Sequence, residues 1–241
     1  IKLLSANDLI VISVKETCRA ENVSASFVNN SQTVFKIPVI YPEKPSTPQD
    51  FHICQGPLFM EKHLDTDLMP FIAWVEMYRL LGVSLTMYNY SIPESWHKVL
   101  WYYHNQGIID IYQTGPTSDD DDPYRNQQMH ISECMYRNMY KFKWTISVDL
   151  DELLLPRNSW NYTQLMQELA QHYKVDPSKH HFYLNMVFFY REYPFPDHEN
   201  TRIPFLRLQH KKEIKNHFGY GKIKSISNPL LCRGLHTHCC K

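Results

Sequence analysis

The sequence predicts an α/β protein built on an open, mostly parallel sheet flanked by helices. Three observations predict it. Short apolar runs alternate with segments of helical period from Phe51 onward, two of those segments stop at glycines, and paired aspartates close the last apolar run. Sheets of this kind hold ligands beyond the carboxyl ends of their strands. The acids of "WTISVDLDELLLP" fall at such an end.

Residues 1–50 read as a lead-in or stem, and residues 51–241 as the main domain. The lead-in carries the strand-like runs "LIVISVK" and "TVFKIPVIY", then "YPEKPSTPQD", whose prolines mark an extended connector. The domain opens with "FHICQGPLF", a short strand expected to end in a Gly-Pro turn. In "LMPFIAWVEMYRLLG", Phe71, Trp74, Val75, Tyr78 and Leu81 share one helix face and Gly82 is the stop. "VSLTMYNY" is the next strand, and Pro93 starts a helix through "ESWHKVLWYYHNQG", closed by Gly107. "IIDIYQT" is a third strand, followed by the acidic loop "GPTSDDDDPYRN". "QQMHISECMYRNMYKF" reads as a helix and "KWTISVDLDE" as a fourth strand. No internal repeat is present.

Composition sets outer limits. Lys+Arg and Asp+Glu both number 25, so no global field draws the chain to nucleic acid or anionic lipid. No apolar run reaches the roughly 18 residues of a membrane helix. The chain begins at Ile1, which fits a fragment or processed form with an anchor or signal upstream. Asn22, Asn29, Asn89 and Asn161 each head an N-glycosylation sequon, favouring a lumenal or secreted protein. The six cysteines suit disulfides there, in any of 15 pairings, and no CxxC motif points to structural zinc. Buried free thiols are the alternative.

Asp149 and Asp151 are i and i+2, so in an extended segment both carboxylates face one point. Burying two like charges costs several kcal/mol per ion unless a cation compensates. A hard divalent ion bridging to a diphosphate meets that need. A solvated turn is the bland reading of a lone DxD. Glu152 reads as a cap or as the partner of a basic neighbour. Aspartyl phosphohydrolases also follow a strand with DxD, but they want Thr or Val two places on, where this chain has "DLDEL". Most of the 13 histidines read as surface or core residues, and "RLQHKKEIKNHFGYGKIK" as a solvated basic face able to steer an anionic nucleotide.

The blocks "FHICQGPLF", "FIAWVEMYRLLGVSLTMYNYS", "VLWYYHNQGIIDI", "ECMYRNMYKFKWTISVDLDELLLP" and "KSISNPLLCRGLH" occur in an order that resembles glycosyltransferase family 92. The resemblance runs from about Phe51 to His236. It implies a GT-A fold, a Rossmann-like sheet, and manganese-dependent transfer from a nucleotide sugar. The donor it implies is UDP-galactose. The acceptor it implies is a glycan, such as fucose of an N-glycan core. It also implies a location in the Golgi or secretory lumen, as a type II membrane protein or secreted enzyme.

Carried over residue by residue, the resemblance gives Asp149, Asp151 and His236 to the metal, with His238 as a competitor, and Lys224 to the diphosphate. Two positions depart from the family pattern: Glu133 and Asn89 stand where aspartate is common, which bears on donor choice. The expected chemistry is a single displacement with inversion. The acceptor proton goes to a carboxylate of "FFYREYPFPDHENTR", where Glu192, Asp197 and Glu199 compete and Asp197 is preferred. A glycan-binding protein that kept the fold and lost the chemistry is the competing class.

Overall fold

The computed structural model describes residues 19–27, 30–59, 68–114, 126–185, 223–233 and 240. Two antiparallel strands come first, β1 (Asn22–Phe27) and β2 (Asn30–Pro38), with Asn22 opposite Pro38. They form a sheet of their own.

The main sheet is laid down by alternation. β3 (Gln49–Phe59) leads to α1 (Met69–Leu80), β4 (Val83–Ser91), α2 (Glu94–Asn105) and β5 (Ile109–Gln113). Then follow α3 (Gln127–Asn138), β6 (Phe142–Ser147), α4 (Tyr162–Tyr173), β7 (His181–Asn185) and β8 (Ile223–Ser227). Across the sheet the order is β5-β4-β3-β6-β8-β7. β5, β4, β3 and β6 are parallel, and β8 is antiparallel to both its neighbours. From β3 the chain steps outward to β5 and then returns to the other side of β3, so strand order reverses between β3 and β6. This is the expected α/β architecture with an open, mostly parallel GT-A-type sheet.

The helix stops fall where the glycines predict them. Gly82 and Gly107 follow the last turns of α1 and α2 with φ of 76° and 68°, a left-handed geometry that costs glycine little. One boundary differs from expectation. β3 does not end at Gly56–Pro57 but runs on to Phe59, with a register shift against β4 between Cys54 and Pro57. Proline lacks an N–H for the ladder, and a bulge is where a strand tolerates that loss.

Both faces of the sheet are covered, as a parallel sheet requires. On one face Phe51, Ile53, Leu85, Met87 and Ile146 pack with Trp74 and Tyr78 of α1, Leu100 of α2 and Tyr162 of α4. On the other, Cys54 and Tyr88 pack with Ile131, Cys134 and Met135 of α3. A Cys54–Cys134 disulfide fastens α3 to β3, and a second joins Cys232 to Cys240. Cys18 and Cys239 lie outside the described residues.

Candidate functional site

β6 carries its apolar residues to Ser147 and buried Val148, and the chain then turns. The Glu152 N–H donates to the Asp149 carbonyl at 3.0 Å, and the Asp149 N–H donates to Glu152 Oε2 at 2.7 Å. Asp149–Glu152 is therefore a closed turn rather than the extended segment expected from the sequence, and the period-two rule does not govern it. The cause is across the sheet. β8 is antiparallel to β6 with Ser225 opposite Ser147, which brings the next residue, Lys224, level with the turn.

Lys224 Nζ lies 2.8 Å from Asp149 Oδ2 and 2.7 Å from Glu152 Oε2. Its side chain is 5% exposed, against 17% for Glu152 and 37% for Asp149. Asp151 is exposed. The turn thus gathers Asp149 and Glu152 on one ammonium and leaves Asp151 facing outward. Burial raises the Glu152 carboxyl above its ordinary value, with the Lys224 and Asp149 hydrogen bonds pulling the other way.

Three buried aromatics hold the turn from beneath. Trp74 Nε1 donates to the Glu152 carbonyl at 2.8 Å, and Tyr78 Oη donates to the same oxygen at 3.3 Å. The Leu154 N–H donates to Tyr78 Oη at 3.0 Å, and Tyr162 Oη donates to the Leu154 carbonyl at 2.5 Å. The sequence reads Trp74 and Tyr78 only as an apolar helix face. Their polar tips were the missed signal, since a buried indole or phenol needs a partner.

From the other side comes α3. Gln127 Nε2 donates to Asp149 Oδ1 at 3.3 Å. The Gln127 stem crosses Gly56 of β3, where an added Cβ would meet Gln127 Cγ at 2.6 Å. Asp149 is thus fixed through both oxygens, by α3 and by β8, at the carboxyl edge where strand order reverses. In an open α/β sheet that crevice is where ligands bind.

The remaining candidates divide clearly. Asp197 and His236 lie outside the described residues, as do Glu192, Glu199 and His238. Glu133 accepts from Tyr88 Oη and pairs with Arg137, and Asn89 Nδ2 donates to Gln113 Oε1 at 2.9 Å. His52 is a core residue: buried, 2.9 Å from Thr86 Oγ1, and stacked on Phe142 with centroids 4.2 Å apart. Burial, aided by nearby Lys141, lowers its pKa to about 3, so it stays neutral. Among the described residues two groups set a histidine near two cysteines, His52–Cys54–Cys134 and His181–Cys232–Cys240. In both the sulfurs are spent on a disulfide.

The acid turn has the donor chemistry a hard divalent cation takes. Among the described residues every candidate ligand there is a carboxylate oxygen, and three carboxylates against one ammonium leave two negative charges when all are ionised. Half-exposed Asp149 and exposed Asp151 are the residues that can reach such an ion from solvent.

Comparison with known proteins meets this geometry. A family model described as glycosyltransferase family 92 matches residues 49–241. A Caenorhabditis elegans protein named as a glycosyltransferase family 92 protein is 25% identical over 126 residues, covering 48% of this chain. The chain spans only 24% of that relative's length. With the match reaching from the start of β3 past β8, the chain belongs to glycosyltransferase family 92.

Proposed function

We propose that this chain is a glycosyltransferase that moves a hexose from a nucleotide sugar to a hydroxyl of a glycan acceptor, with UDP-galactose as donor and inversion at the anomeric carbon. The observation that carries the reading is the acid turn. It follows β6 at the reversal of strand order and, with its three carboxylates ionised, keeps two negative charges among the described residues after Lys224 is counted. Manganese held by Asp149, Asp151 and, from the sequence, His236 would neutralise charge developing on the diphosphate.

The chain's own residues supply the rest. Lys224 holds Asp149 and Glu152 in place, so it positions the turn, and contact with the diphosphate is its second proposed role. Gln127 fixes the second oxygen of Asp149. The acceptor oxygen bonds to the anomeric carbon as UDP leaves with the bonding electrons, and a carboxylate takes the acceptor proton. Asp197 is assigned that role. Asp197 itself lies outside the described residues; the residues on either side of its segment, Asn185 and Ile223, are paired with each other beside Lys224. The Golgi or secretory lumen suits the two disulfides.

The test is a donor panel assayed with manganese and with chelator, on the unaltered chain and on Asp149→Asn and Asp151→Asn. Turnover of UDP-galactose should need manganese and fall roughly 100-fold or more in each variant. Turnover indifferent to chelator and to both substitutions would overturn the reading, and glycan binding without turnover would establish the lectin-like alternative.

A further inference from the structure

We infer that Asn161 is an N-glycan attachment site, and that its sugar projects from the edge of the sheet opposite the acid turn. The sequon Asn161-Tyr162-Thr163 opens α4 with Asn161 as the N-cap. Its Oδ1 accepts the Gln164 N–H at 2.9 Å, and this is the side chain's hydrogen bond among the described residues. The cap therefore uses the amide oxygen and leaves Nδ2, the atom that carries a glycan, uncommitted. The neighbouring Trp160 is 90% exposed, an apolar face of the size a first sugar ring covers.

Location follows from the partners of the same turn of helix. Tyr162 packs on Phe51 with ring centroids 5.3 Å apart, and Thr163 Oγ1 lies 3.4 Å from Asp50 Oδ2. Asp50 and Phe51 stand near the start of β3, whereas Asp149 follows the end of parallel β6. A glycan on Asn161 thus stands at the amino edge of the sheet, away from Asp149.

The other sequons sharpen the inference. Asn89 is 8% exposed, and its Nδ2 is spent on Gln113, so the folded chain has no room for a sugar there. Asn22 is exposed on β1, and Asn29 lies outside the described residues. Attachment uses an oligosaccharide carried on a polyisoprenyl diphosphate. Asn161 Nδ2 bonds to the anomeric carbon and loses a proton, while the carbon–oxygen bond to the diphosphate breaks and the diphosphate leaves with the electron pair.

The experiment is secretion of the chain from eukaryotic cells, digestion with a peptide N-glycosidase, and site mapping by mass spectrometry. Asn161 should be converted to aspartate by the enzyme, and Asn89 should not. Asn161→Asp keeps a capping oxygen and Thr163→Ala keeps the cap itself. Each should lose one glycan step on a gel while keeping the melting temperature of the deglycosylated chain. An unmodified Asn161 in secreted chain, or a glycan on Asn89, would overturn the inference.

Discussion

Lys224 and Asp149 lie 75 residues apart in the chain and are joined at 2.8 Å, the lysine buried and the aspartate half in solvent. The pair ties β8, the antiparallel neighbour of β6, to the turn that ends β6. Glu152 completes the triad from within the turn.

Removing the ammonium should therefore unsettle the fold as well as the site. Lys224→Met leaves two buried or half-buried carboxylates facing each other, a loss of about 3–5 kcal/mol. In a domain of this size that lowers Tm by about 10 °C. Neutralising the acids in the same background, with Asp149→Asn and Glu152→Gln, should recover much of the loss. Thermal unfolding of the single and triple variants reads both effects, and an unchanged Tm for the single variant would remove Lys224 from the role.

Gly56 is expected to act through Gln127. A methyl group at Gly56 meets Gln127 Cγ at 2.6 Å, so Gly56→Ala must push the side chain off Asp149. Overpacking of this kind costs about 1–3 kcal/mol. Losing the Gln127 hydrogen bond that orients Asp149 should cost roughly 10-fold to 100-fold in kcat/KM. Adding Gln127→Ala should restore the stability but not the activity. If the double variant is no more stable than Gly56→Ala, the clash lies elsewhere.

The buried His52 makes the protein sensitive to acid. Its folded pKa of about 3 lies below the ordinary 6.5, so the unfolded chain binds a proton that the folded one refuses. Stability from this group is present above the ordinary value and is lost as pH falls through the window down to about 3. The slope is about 1.4 kcal/mol per pH unit for one proton. Urea unfolding across that window should show His52→Gln less pH-dependent by about one proton, and equal slopes would contradict this account.

The Cys54–Cys134 bond closes a loop with a sequence separation of 80 between β3 and α3. Replacing both cysteines by alanine should cost about 2–5 kcal/mol by removing that restraint on the unfolded chain. Calorimetry with and without reductant measures it. The variant should be indifferent to reductant across this bond.

Much of the fold was legible because its signals are local. Gly82 and Gly107 end helices by backbone geometry alone, and the alternation of apolar strand and helix face carries through to β6. Beyond Glu152 the residue pattern marks only the apolar strand that precedes "FFYREYPFPDHENTR", and β8 is a five-residue strand whose polarity nothing local encodes. The site was legible as residue types but not as an arrangement. Asp149, Lys224 and Glu152 were all singled out, yet the turn that sends Asp149 and Glu152 to one lysine depends on pairing between β6 and β8. Trp74, Tyr78 and Tyr162 bind the carbonyls of Glu152 and Leu154 through single polar atoms that a hydrophobic pattern does not register.

The antiparallel pairing of β8 has one more result. Side chains alternate along a strand, so a slip of β8 by one residue would present Ile223 or Ser225 where Lys224 now stands. Glu152 and Asp149 would then meet an isoleucine or a hydroxyl, with no ammonium between them. Electrostatics thus proofreads strand alignment here, and the chain cannot assemble this corner incorrectly without losing the attraction that closes it.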